Sequence, residues 1–195
     1  GAVHIHCRLA ETPDQISAIR VGAGECDALI GGDLVVSSGS KTLGLISEGR
    51  TGAVVNSHEI VTGEFTRDTE FKIPQDQLLL NMEVRLKEGL LLFDSSRLSK
   101  ELMGDSIFSN MMVFGAAWQQ GLVPVSHESI QKAIELNGAV VEKNQRAFQL
   151  GRWAAFAPEN AAEVLRPFTL SSPKSLEEKI SNFEEHLILY QGRRL

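Results

Sequence analysis

Cysteine is nearly absent from this chain: Cys7 and Cys26 stand far apart in 195 residues and outside any Cys-x-x-Cys pattern. Two thiolates cannot supply the four ligands of an ordinary [4Fe–4S] cluster. Both are read as reduced core thiols of an intracellular protein, which places the chain in the cytoplasm. Basic charge is also short, with 19 Lys and Arg against 25 Asp and Glu and a net charge of −6. That balance argues against nucleic-acid binding, which needs a clustered basic face. No run approaches the roughly 20 apolar residues of a membrane span, so no membrane partner is expected. No signal peptide, internal repeat or low-complexity tract is visible. What remains is enough chain for one real core, with or without a helical extension.

The first half alternates short apolar runs with helical stretches. Val3, Ile5, Cys7 and Leu9 alternate with His4, His6 and Arg8, the period-two mark of a strand. Residues 27–32 (DALIGG), 52–56 (GAVVN) and 89–94 (GLLLFD) read as further short strands. Asp33 is placed to cap a helix reaching about Ile46, and Pro74 to open another reaching about Lys87. Short apolar strands separated by helices predict a Rossmann-like α/β fold with a mainly parallel sheet.

From Leu102 to Trp153 the pattern turns helical. Asp105 or Ser106 can cap a helix that Ile107, Phe108, Met111, Met112, Val113, Phe114, Ala116, Ala117 and Trp118 make apolar almost all round. Gly121 and Pro124 end it. Ser126 caps a second helix, with Glu128 in its first turn, a stripe of Ile130, Ala133 and Ile134, and a stop at Asn137-Gly138. A third places Val140, Asn144, Ala147, Phe148 and Gly151 on one face. Residues 158–175 read as a linker and Leu176 to Tyr190 as a closing amphipathic helix. The domain itself is expected over residues 1–157.

Several motifs at matching spacing carry a family resemblance: GDSIFSN (104–110), GLVPVSHESIQKAIELNG (121–138), NQRAFQLGR (144–152), the opening GAVHIHCR and FEEHLILYQ (183–191). The chain resembles the gamma domain of the 2-oxoacid:ferredoxin oxidoreductases, above all in the fused-chain indolepyruvate form. Such gamma domains begin with a glycine-rich strand-turn-helix before the segment matched by Gly1-Ala2-Val3. That opening unit is therefore expected to be missing here, leaving a fragment with an unpaired sheet edge. The resemblance implies an enzyme that oxidatively decarboxylates aryl 2-oxoacids such as indolepyruvate to acyl-coenzyme A, with ferredoxin as acceptor. It implies thiamine diphosphate, iron–sulfur clusters and coenzyme A on other domains or subunits, which are the expected partners of an oligomeric assembly. No thiamine motif is present, and no cofactor is expected on this chain.

Candidate chemistry is thin. His4, His6 and Arg8 would share a strand face and could bind an anion; a solvated or subunit-covered face is the plainer reading. His-x-His could ligate a metal only with further ligands, and His58 with Glu59 is a remote partner. Gly22-Ala23-Gly24 lacks a third glycine and precedes its strand, so it makes no dinucleotide loop. Gly31-Gly32 sits between strand and helix, where backbone N–H groups could cradle a phosphate, although close packing explains the pair equally well. Asn110 and Asn144 interrupt apolar helix faces and are expected to be buried ties to loop backbone. Arg152 suits a helix C-terminus or a bridge to another subunit. No residue is assigned a catalytic role. Two readings follow: a structural and interface domain of the oxidoreductase, or a free-standing nucleotide- or small-ligand-binding module.

Overall fold

The structure, a computed structural model, describes residues 2–58 and 75–166. Three parallel strands, β1 (Ala28–Gly31), β2 (Gly52–Asn56) and β3 (Leu90–Phe93), pair in the order β1-β2-β3. Leu29 lies opposite Ala53, and Val54 opposite Leu91. Apart from Asn56 at the end of β2, the strands are apolar, because helices pack against both faces of the sheet. Ala53 and Val55 pack with Leu34, Ile46, Met82 and Leu86, whereas Val54 packs with Val113, Ala116 and Ala117. Alternation thus survives as a division between two cores, and the expected parallel α/β fold is what forms.

The connections obey local chemistry. Asp33 caps α1 (Leu34–Ser37) by accepting from Val36 N at 2.8 Å. The single helix expected to reach Ile46 is instead two, with α2 spanning Ser40–Leu43. Ser37 and Ser38 donate their hydroxyls to Asp33 O and Leu34 O, competing for helical carbonyls, and Gly39 then turns extended. The crossover from β2 to β3 runs through α3 (Gln75–Leu86); its expected opener, Pro74, lies outside the described residues.

The helical half follows with α4 (Ser95–Met103), α5 (Ser109–Gln119), α6 (His127–Asn137), α7 (Val141–Phe156) and α8 (Pro158–Val164). Asp105 caps a 3₁₀ turn over Ser106–Phe108 that leads into α5, which leaves Ile107 exposed rather than on a buried helix. Gly121 and Gly138 take left-handed backbone at φ 75° and 71°, and Ser126 caps α6 through Ser129 N. The tightest contact in this half is between α5 and α7. A Cβ on Gly115 would overlap the Phe148 carbonyl oxygen, and one on Gly151 would overlap the Met112 carbonyl oxygen. Two glycines facing each other's backbone let the helix axes approach more closely than any side chain allows.

Three expectations require correction. Residues 2–10 form no ladder, and Val3, Ile5 and Leu9 are exposed, so the first strand does not form. The alternation is present, but among the described residues no neighbouring strand takes its backbone groups. Cys7 lies on this exposed segment and is not a core thiol, whereas Cys26 is buried. Residues 158–164, expected to open a linker, form α8 with Ala161 buried, because Pro158 starts a helix as readily as it ends one. One compact unit spans Gly1–Leu165. The amphipathic helix expected over 176–190 lies outside the described residues.

Candidate functional site

Open parallel sheets bind ligands beyond the carboxyl ends of their strands. Here those ends deliver Gly32 and Asp33 after β1, Asn56 to His58 at the end of β2, and Asp94 to Ser96 after β3. Asn56, 1% exposed, holds the three together. Its Nδ2 donates to Gly32 O at 3.0 Å and Ser96 Oγ at 2.9 Å. Its Oδ1 accepts from the backbone N–H groups of His58 and Ser95, both at 3.1 Å. The amide is saturated, so Asn56 builds the crevice without a free group to offer a ligand. Beside it, His58 Nδ1 lies 3.5 Å from Asp94 Oδ1. Ser95 Oγ, fully buried, finds no partner among the described residues.

This crevice is ill suited to phosphate. The Asp33 carboxylate occupies the start of α1, and that helix has only four residues. The Asp94 carboxylate accepts from Arg97 N at 2.8 Å and occupies the start of α4. Negative charge already sits where an anion would bind. The Gly31 Cβ position is filled by the Ser37 hydroxyl, so close strand-helix packing accounts for that glycine. Gly32 is exposed, and the Asn110 Oδ1 atom stands 3.3 Å from where its Cβ would be. Packing thus accounts for Gly31, while Gly32 lies at the surface beside Asn110. The side chains left at these strand ends are His58, 3.5 Å from Asp94, and Asn110 beside Gly32.

The other sequence candidates lie elsewhere. His6 Nδ1 accepts from Val21 N at 3.1 Å, and Arg8 donates to Arg20 O and, at 2.6 Å, to Glu25 Oε2. Both residues therefore strap the opening segment to the loop before β1. The Arg8 guanidinium holds the Glu25 carboxyl below its ordinary range, while burial pushes the Cys26 thiol up. Asn110 is exposed at the start of α5, contrary to the expected buried tie, because the 3₁₀ turn before it rotates the face. Asn144 is half-buried and donates to Ala139 O at 2.8 Å. That carbonyl belongs to the loop entering its own helix, not to a facing one. The same loop holds Val140 at φ 44°, outside the helix face on which its spacing placed it. Arg152 lies inside α7 rather than at its end and donates to Gln119 and Gln149, so its partners are internal.

Between α5, α6 and α7 lies an apolar cavity of about 390 Å³, lined by Met111, Phe114, Ile130, Ile134 and Asn144 among others. No pattern of residues signals it, since a cavity depends on how helices cross. Asn56 did carry a signal, being the one polar residue at the carboxyl end of an apolar strand.

A family model described as pyruvate ferredoxin/flavodoxin oxidoreductase matches residues 1–154. No curated protein and no solved structure matches the chain. The family's enzymes oxidise 2-oxoacids with ferredoxin-type acceptors, and in general they use thiamine diphosphate, iron–sulfur clusters and coenzyme A in multi-domain or multi-subunit complexes. The donor set of this chain does not fit a cluster: it has two cysteines, one exposed and one buried. No group of three or more His, Cys, Asp or Glu side chains gathers for a metal among the described residues. No helix among them is long and apolar enough to cross a membrane. By the span of that match, which covers the sheet and the α5–α7 helices alike, the chain belongs to the pyruvate ferredoxin/flavodoxin oxidoreductase family.

Proposed function

We propose that this chain is the gamma-type domain of an indolepyruvate-class ferredoxin oxidoreductase, with a structural and interface role. In this reading the parent enzyme decarboxylates an aryl 2-oxoacid in the cytoplasm, passes the acyl group to coenzyme A and the electrons to ferredoxin. The observation that carries it is the coincidence of the family match over 1–154 with the GDSIFSN and NQRAFQLGR blocks, the first leading through a 3₁₀ turn into α5 and the second lying in α7, where Gly151 sits against the Met112 backbone. Cofactor chemistry then belongs to other domains or subunits, because two separated cysteines cannot hold a four-thiolate cluster. The carboxylate-capped crevice weighs against the rival reading of a free-standing nucleotide module, since Asp33 and Asp94 fill both helix starts.

The test takes the chain alone and within its complex. Alone it is expected to be colourless after anaerobic cluster reconstitution and silent in 2-oxoacid-dependent dye reduction with thiamine diphosphate and coenzyme A. Co-purified with the thiamine-binding and cluster-binding partners, it is expected to restore indolepyruvate oxidation that those partners lack without it. A bound cluster or turnover by the chain alone overturns the interface role. Restored pyruvate but not indolepyruvate oxidation overturns the substrate class.

A further inference from the structure

The cavity between α5, α6 and α7 has a floor and a mouth of different character. Met111 and Phe114 of α5 line it partly buried, and Ile130 and Ile134 of α6 are only 5% and 8% exposed. Ser129, Ala133 and Asn137 follow at four-residue spacing along α6 and are exposed, so they form the mouth. Small side chains there leave the apolar floor open to solvent. None of the lining side chains is charged.

Size and chemistry narrow what this cavity admits. An apolar cavity of about 150 Å³ holds one benzene ring, whereas this one measures about 390 Å³. That is room for two fused rings, in the range of small-molecule sites rather than of packing gaps. Met111 and Phe114 supply a thioether and an aromatic ring, which suit an aromatic guest. A carboxylate or ammonium group would lose its hydration here without meeting a counter-charge, so the guest is neutral. Asn144 sets the polar end. Its Nδ2 donates to Ala139 O at 2.8 Å, and its Oδ1 accepts from no described residue. A guest with an O–H or N–H can donate to that oxygen.

We infer that this cavity is a binding site for a neutral two-ring aromatic molecule carrying one hydrogen-bond donor. The 2-oxoacid of the parent reaction is a different kind of ligand, since no lining cation meets its carboxylate. The site therefore stands or falls separately from the proposed enzyme role. Its occupancy has a built-in reporter. Trp118 Nε1 donates at 2.7 Å to the carbonyl of Val125, which also lines the cavity.

The test uses the whole chain and three naphthalene probes. 2-Naphthol, neutral with one O–H, should bind saturably with a Kd of about 0.1–1 mM, as its size allows. It should move the Met111 methyl and Trp118 indole N–H resonances. The Met82 methyl, buried against the opposite face of the sheet, should stay in place. The charged 2-naphthoate should bind at least about tenfold more weakly. 2-Methoxynaphthalene, which has no donor, should bind about fivefold more weakly. Ala133→Phe should fill the cavity and weaken 2-naphthol binding about tenfold or more, with the fold intact because Ala133 is exposed. A response that does not saturate, equal binding of either control probe, or binding untouched by Ala133→Phe overturns the site. So does self-association that Ala133→Phe abolishes, which would give the cavity to a second copy of the chain. Should Ala133→Phe not fold, the wild-type methyl shifts still decide.

Discussion

The opening segment and the α5–α7 pair have equally legible sequence patterns and opposite fates. Residues 3–9 alternate as regularly as any strand, yet they stay unladdered and exposed, tied down by His6 and Arg8. The helices α5 and α7 satisfy their own backbone, and they meet through Gly115 and Gly151. A helix closes its hydrogen bonds within itself, whereas a strand needs a neighbour. Periodicity therefore predicts a helix more securely than it predicts a strand.

The comparison breaks first at the glycines. Gly151→Val should destabilise by about 3 kcal/mol or more, because the intruding atoms meet the Met112 backbone rather than a side chain that can turn. Gly115→Val should do the same against Phe148. Either variant melting like wild type would mean that the close crossing does not exist. Next comes Asn56→Leu, which leaves Gly32 O and the Ser95 and His58 N–H groups without their partner. A loss of about 2–4 kcal/mol in denaturant unfolding is expected, from more than one orphaned group. A near-neutral result would show that the strand ends need no clasp.

Asn144→Leu should cost only about 1 kcal/mol, since one half-buried bond to Ala139 O is lost. The assembled enzyme carrying it should melt slightly earlier and keep its rate per folded molecule. An unchanged melting point with turnover down a hundredfold, about 2.7 kcal/mol of barrier, would instead place Asn144 at the reacting centre.

The smallest effect belongs to the strap. Arg8→Ala should leave global unfolding untouched while residues 2–20 become more sensitive to protease. Arg8 lowers the Glu25 carboxyl, so the strap holds above the ordinary carboxylate range and loosens as pH falls through the lowered value. The Gly22 amide, which donates to Glu25 Oε2, reports this by its chemical shift. Its titration midpoint should move upward in Arg8→Ala; an unmoved midpoint would separate the ion pair from the strap.

Much of the fold was written locally. GAVVN became β2 without a residue of error, Asp33 and Ser126 capped their helices, and Gly121 and Gly138 ended theirs. Each of these depends on neighbours a few positions away, and sequence order supplies those directly. What sequence could not decide is where a second element would be. Residues 3–9 lacked a ladder partner, Asn110 faced solvent, and Arg152 found its partners on α5 and within α7. Asn56 became a clasp only because three strand ends converge on it. Hydrogen bonds and van der Waals contacts act over a few ångströms, so they select among residues that the tertiary fold has already brought together.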